Sequence, residues 1–143
     1  MIITQLSVFV ENKPGRLSEI TDTFARDNID IRALSIADTT NFGILRLIVD
    51  NPEAAEHSLK EAGFTVSLTN VIAISVADSP GGLSKALKVL TGAEIAVEYM
   101  YAFISRQGGV AHVILRVSDN QAAINALEAA GVKMLAAKDV YNN

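Results

Sequence analysis

The chain has 143 residues, 50% of them hydrophobic, no cysteine and a formal net charge of −4. The missing thiols exclude disulfides, thiolate metal sites and cysteine nucleophiles, and two histidines far apart in sequence argue against a metal cluster. An acidic balance without a basic stripe argues against nucleic acid. In chain order, residues 2–10 alternate as a strand, with Leu6, Val8 and Val10 on one face and Gln5, Ser7 and Phe9 on the other. A first helix is predicted from about Pro14 to Asp27, with Leu17, Ile20 and Phe24 as its buried stripe and Asn28 as its stop. Pro14 is read as a first-turn proline. A second strand covers Asp30 to Asp38, a turn Thr39-Thr40-Asn41, and a third strand Gly43 to Val49. Asp50-Asn51-Pro52-Glu53 opens a helix that Ala62-Gly63 ends, and a fourth strand runs from Phe64 to Thr69.

The order then starts again. Val8 to Ser18 returns as Ile74 to Ser84, and Glu53 to Phe64 returns as Gln121 to Val132. The second copy predicts a strand at Val71–Ala77, a helix at Pro80–Leu90 and a strand at Glu94–Ser105. The turn Arg106-Gln107-Gly108-Gly109 leads to a strand at Val110–Val117, a helix at Asp119–Ala130 and a strand at Lys133–Val140. In the Glu94–Ser105 strand, Ile95, Val97, Tyr99, Tyr101 and Phe103 are read as one face, and Ala96, Met100, Ala102 and Ile104 as the other, broken only by Glu98. Both faces look covered, although antiparallel sheets often leave one face wet.

Each copy is thus βαββαβ, residues 1–70 and 71–143. The fold class is α+β: two ferredoxin-like units, each an antiparallel sheet with its helices on one face. Units this small bury limited core alone. With the two-sided apolar strand, that predicts a homodimer, or an equally intimate fusion of the repeats into one continuous sheet. No apolar run reaches the length of a membrane span. The N-terminus has no basic region, apolar region or cleavage site of a leader, and a cytoplasmic protein is expected.

The chemistry is expected where the first strand meets the first helix. Glu11-Asn12-Lys13-Pro14-Gly15-Arg16-Leu17 places a helix N-terminus beside a glycine and an amide side chain. Free N–H groups and the helix dipole stabilise an anion at such a place. Gly15 removes the Cβ that would hold a ligand off the backbone. Asp78-Ser79-Pro80-Gly81-Gly82 repeats the arrangement with less side chain. An isolated Pro-Gly is read as a turn; its recurrence at the same junction points to a ligand.

These motifs, with Asn28-Ile29-Asp30-Ile31 and Ala93-Glu94-Ile95 opening the second strands, resemble a tandem pair of ACT domains. Such domains are amino-acid-sensing regulatory modules, and the resemblance covers essentially the whole chain. It implies that a free amino acid binds between paired modules, the loop of one meeting the second strand of its neighbour. The residues it points to are Asn12, Pro14, Gly15, Leu17, Asp30 and Ile31 in the first copy. In the second they are Asp78, Gly81, Gly82, Leu83, Glu94 and Ile95. Asp30 and Glu94 stand where family members that hold small polar amino acids carry asparagine, so a polar or basic amino acid is expected. The loops differ, so one repeat alone could bind.

Elsewhere, His57 with Glu53, Glu56, Lys60 and Glu61 reads as a solvated helix face, and His112 as a satisfied surface histidine. Tyr99 and Tyr101 read as packing, and Lys13 and Arg16 as solvated charges. No nucleophile–base pair or paired catalytic carboxylates stand out, so no catalysis and no cofactor are expected. The function expected is a stand-alone amino-acid-binding regulator. The alternative is a non-catalytic assembly or regulatory subunit of an amino-acid biosynthetic enzyme.

Overall fold

The computed structural model describes residues 1–38, 41–103 and 105–142. Thr39 and Thr40 of the expected turn, and Ile104 of the two-sided strand, lie outside these residues. The chain forms two compact units. The first is Thr4–Thr69 with Tyr141; the second is Asn70–Val140 with Met1–Ile3.

The first unit contains β1 (Ile3–Glu11), α1 (Arg16–Arg26), β2 (Ile31–Asp38), β3 (Phe42–Val49), α2 (Pro52–Glu61) and the start of β4 (Thr65–Ala77). Its strand order is β2-β3-β1-β4, the split βαβ order. Leu6, Val8 and Val10 of β1 pack with Leu45, Leu47 and Val49 of β3 beneath Ile20 and Phe24 of α1 and Leu59 of α2. Asn51 caps α2 by accepting from the Ala54 amide at 3.2 Å, with Pro52 in its first turn. Asn28 takes φ 56 after α1 and Gly63 φ 92 after α2, the left-handed stops read from the sequence. Two expectations for α1 change. Gly15, not Pro14, is its N-cap, so Pro14 lies outside the helix. Leu17 is exposed, and Thr23 joins Ile20 and Phe24 as the buried set.

The second unit contains the remainder of β4, α3 (Gly82–Gly92), β5 (Val97–Phe103), β6 (Val110–Val117), α4 (Asn120–Ala129), β7 (Lys133–Met134) and α5 (Ala137–Tyr141). The order is again 2-3-1-4 within the unit: β5-β6-β4-β7. Ile72, Ile74 and Val76 meet Val113, Leu115 and Val117 under Ala86, Leu90, Ala123 and Leu127. Asp119 caps α4 through the Ala122 amide at 3.0 Å. β4 runs unbroken from one unit into the other, so the expected strands Phe64–Thr69 and Val71–Ala77 are one element.

Two readings of the second copy are corrected. The strand expected over Lys133–Val140 pairs with β4 only at Lys133 and Met134; a short helix follows. Ala136, Ala137 and Lys138 favour helix over strand, and the Asp139 carboxylate accepts from the Ala136 amide at 3.0 Å. The second correction concerns β5. Val97 pairs with Val117, but Tyr99 pairs with Arg116 and Met100 with Leu115. The irregularity at Glu98 shifts the strand by one residue, and such a shift moves every later side chain to the other face. Met100 and Ala102 therefore share the face of core-lining Leu115 and Val113. Tyr99, Tyr101 and Phe103 share the face of Arg116, Ile114 and His112. The first unit has the same irregularity in β2, between Ile31 and Ala33.

Candidate functional site

The first loop is shaped by its backbone. The Asn12 amide donates to the Asn41 carbonyl at 3.1 Å, which ties the strand exit to the start of β3. The Lys13 amide donates to the Glu11 carbonyl at 2.8 Å, turning the chain towards α1. Gly15 then takes φ 88, a left-handed conformation that favours glycine. A Cβ built on it meets nothing of the chain within 4 Å, so conformation rather than crowding selects glycine there. No side chain caps α1. Its first N–H groups are among those a helix cannot satisfy internally.

Charges surround this helix start. Lys13 Nζ is 2.9 Å from the Glu11 carboxylate, and Arg16 lies 3.6 Å from Glu11 and 3.1 Å from Glu19. The hydrogen bond and charge of Lys13, then the charge of Arg16, hold the Glu11 carboxyl below its usual range. On the side facing β2, a recess of about 60 Å³ is lined by Val10, Glu11, Asn12, Lys13, Leu17, Ile36, Phe42 and Gly43. Asn12 and Leu17 of the expected set meet there; Ile36, Phe42 and Gly43 were not anticipated. Ile36 is 47% exposed on the edge strand β2, a position that alternation in the sequence does not reveal.

Asp30 and Ile31 are elsewhere. Ile31 pairs with Val49 at one end of the sheet, while Glu11 pairs with Phe42 and Asp38 with Gly43 at the other. Within this unit the strand opening and the loop lie at opposite ends of β2, about 20 Å apart at a strand's rise per residue. The Asp30 carboxylate is 2.9 Å from Arg32, whose Nε donates to the Tyr141 carbonyl at 2.9 Å.

The second loop repeats the frame. The Asp78 amide donates to Gly109 at 3.0 Å, Gly81 has φ 90, and again no side chain caps the helix. Gly82 differs from its counterpart Arg16. A Cβ at Gly82 would come within 2.0 Å of the Ala77 carbonyl oxygen, so this loop closes directly onto its strand. Leu83 packs against the core. Glu94 has φ 57 and its amide donates to Thr91, the place Asn28 holds in the first unit; Asp30 corresponds to Ala96. Ile95 lies with Leu87, Thr91, Val97, Tyr99 and Met100 along an open groove of about 550 Å³, again at the sheet end away from the loop.

The histidines separate sharply. His57 is exposed and 3.1 Å from Glu61. His112 is 5% exposed, packs on the Phe103 ring at 5.1 Å, and has no partner for Nδ1. The surface reading of His112 is therefore corrected. Burial, then the Lys133 charge, lower its pKa, against a smaller opposing pull from Asp139. Among the described residues no group of three or more acidic or histidine side chains could hold a metal ion. No helix there is long and apolar enough to cross a membrane.

With the two matched loops and the duplicated sheet order established, the comparison with known families is decisive: the model of the ACT domain pair matches residues 1–142. The chain belongs to the ACT domain pair family. As such it is a non-catalytic regulatory module of the amino-acid-sensing class. Its fold matches the crystal structure of protein BT0572 from Bacteroides thetaiotaomicron with a TM-score of 0.95 at 43% identity, covering 100% of this chain and 98% of that one. The regulatory subunit of aspartate kinase from Thermus thermophilus has TM-score 0.65 at 15% identity, with 89% of this chain and 91% of that one covered. Aspartate kinase from Synechocystis has TM-score 0.59 at 22% identity; the similarity covers 96% of this ACT domain pair but 28% of that chain. The two kinase comparisons establish likeness of fold. No curated protein matches the sequence.

Proposed function

We propose that this ACT domain pair is a non-catalytic regulatory subunit of an amino-acid biosynthetic enzyme, and that it binds a free amino acid at its strand–helix loops. The observation that carries the binding reading is the matched pair Gly15 and Gly81. Each takes a left-handed conformation at the start of a helix that no side chain caps. That geometry leaves backbone donors for a ligand carboxylate. The subunit reading draws support from the Thermus relative, a separate regulatory subunit of nearly the same extent. A stand-alone sensor, the reading first drawn from sequence, would bind the same ligand without an enzyme partner.

Asn12, Pro14, Gly15 and Leu17, and Asp78, Gly81, Gly82 and Leu83, form the loop half of the site. Asp30 with Ile31, and Glu94 with Ile95, form the strand half. Because the halves lie at opposite ends of each unit, the strand half comes from a neighbouring module, supplied by a second copy of the chain in a homodimer. Carboxylates at Asp78 and Glu94 favour a polar or basic ligand; Asp30 contributes less because Arg32 already faces it.

Thermal shift with each of the twenty amino acids tests this. A ligand at ~100 times its dissociation constant stabilises the native state by about 2.7 kcal/mol. A polar or basic amino acid is expected to give the largest shift. No shift with any amino acid overturns the binding reading, and tighter binding of glutamate than of neutral or basic amino acids overturns the ligand class. Ligand binding together with an amino-acid-dependent change in the activity of a co-purified biosynthetic enzyme supports the subunit. A protein that binds ligand and co-purifies with no enzyme is the stand-alone sensor.

A further inference from the structure

The first loop has a second side. Away from β2, between the end of β1 and the junction of α2 with β4, lies a recess of about 180 Å³. Phe9, Phe42 and Phe64 form its apolar walls, and Glu11 and Arg16 its rim. The Phe9 and Phe42 rings are 5.2 Å apart and tilted by 48°, within the range of favourable aromatic pairs. Both rings are nearly half exposed, at 49% and 44%. Two adjacent phenylalanines left open to water at the mouth of a cavity are unusual for a residue of this type.

The second unit supplies an internal control. The same positions there are Ser75 for Phe9, Ala77 for Glu11, Gly82 for Arg16, Val110 for Phe42 and Val132 for Phe64. The backbone elements are the same, and α4 also ends in a glycine, Gly131, at φ 79. The fold therefore does not require three aromatic rings or an ion pair at this place. Only the first copy has them.

We propose that this recess is a separate binding site for a zwitterionic amino acid with a flat or bulky apolar side chain, of the phenylalanine or leucine type. The Arg16 guanidinium receives the ligand carboxylate. It has five N–H donors, and its contacts with Glu11 and Glu19 leave some of them available. The Glu11 carboxylate receives the ligand ammonium with its remaining acceptor sites. Phe9, Phe42 and Phe64 take the side chain, and covering them removes the apolar surface that is exposed in the free protein. The ligand class differs from that of the loop-and-strand site, which lies on the β2 side of the same loop. The protein thus has a site for a second amino-acid signal, confined to its first repeat.

The test is a titration of the ¹⁵N-labelled full chain with phenylalanine, leucine, serine and histidine, followed by amide shifts and calorimetry. Phenylalanine or leucine is expected to move the amides of Gly63, Phe64 and Thr65, with Asn51 and Asp119 as still references. Phenylalaninamide lacks the carboxylate and N-acetylphenylalanine lacks the ammonium; each is expected to bind about tenfold or more weakly. Arg16→Gln and Phe9→Ser, neither of them in the β2-side recess, are expected to abolish these shifts while the remaining amide spectrum stays dispersed. Absence of shifts at Gly63–Thr65 with every apolar amino acid overturns the proposal. So does binding that is indifferent to loss of the carboxylate or ammonium, or that occurs only with a longer peptide. If serine or histidine still binds at Asn12 and Gly81, the loop site survives that failure; if no amino acid binds anywhere, both fail.

Discussion

Arg16 and Gly82 occupy the same place in two copies of one fold, and they show how differently a shared backbone can be used. In the first unit the position carries a long charged side chain that bridges Glu11 and Glu19. In the second, the strand and helix approach so closely that a single added carbon would strike the Ala77 carbonyl. Gly15 and Gly81, one residue earlier, share nearly the same φ, 88 and 90. The turn is common to both units. Immediately after it, the chain is open and charged in one unit and closed in the other.

The largest expected effect breaks that comparison directly. Gly82→Ala should destabilise the chain by about 3 kcal/mol, the upper range for overpacking, because a backbone carbonyl cannot swing away as a side chain can. Arg16→Ala should cost no more than about 0.5 kcal/mol, as an exposed ion-pair residue. Urea midpoints at unchanged slope measure both. Equal costs would mean that the two loops are equally open.

Of intermediate size are the shared turns. Gly15→Ala and Gly81→Ala should each cost about 1–2 kcal/mol, because an L-residue resists the left-handed conformation even where space is free. Asparagine at either position should cost less, since it visits that region more readily. A bulky β-branched residue at Gly15 would strain the backbone as well as block a ligand, so it is a poor probe there. Should Gly15→Ala be silent while Gly81→Ala is costly, the turns are not equivalent.

The smallest effect belongs to His112 in the second unit, whose counterpart in the first is Ile44. Burial lowers the His112 pKa, so the unfolded chain takes up its proton at a higher pH than the folded one. Its contribution to stability is complete above the ordinary histidine value. It is lost as pH falls from there through the lowered folded value. Lys133, Asp139, Ser105 and the Phe103 ring face it. His112→Phe should flatten the acid limb of a stability-against-pH curve.

Much of the fold was legible because the repeat doubled every signal. The helix opening at Asp50–Glu53 and the Asn28 and Gly63 stops fell where local chemistry placed them. What escaped was set by pairing rather than by pattern. The irregularity at Glu98 exchanges the faces of Tyr99–Phe103, yet alternation in the sequence continues smoothly through it. Leu17 fits a helical stripe but sits in the first turn, where its face passes beyond the sheet into the loop recess. The exposed pair Phe9 and Phe42 come from separate strands, and only their register brings the rings together. His112 read as a surface residue because a strand's outer face was assumed to be wet.

The two units trade short segments, and this bears on how the protein is made. Tyr141 serves the first unit: its hydroxyl accepts from the Thr4 amide at 2.7 Å and its carbonyl from Arg32. Met1–Ile3 belong to the second. Domains generally fold one after another as they leave the ribosome. Here Met1–Ile3 wait for the second repeat, and the first repeat waits for Tyr141, which is translated only after the second repeat. Neither unit acquires its full set of contacts on its own schedule, so maturation of the first repeat is coupled to synthesis of the second.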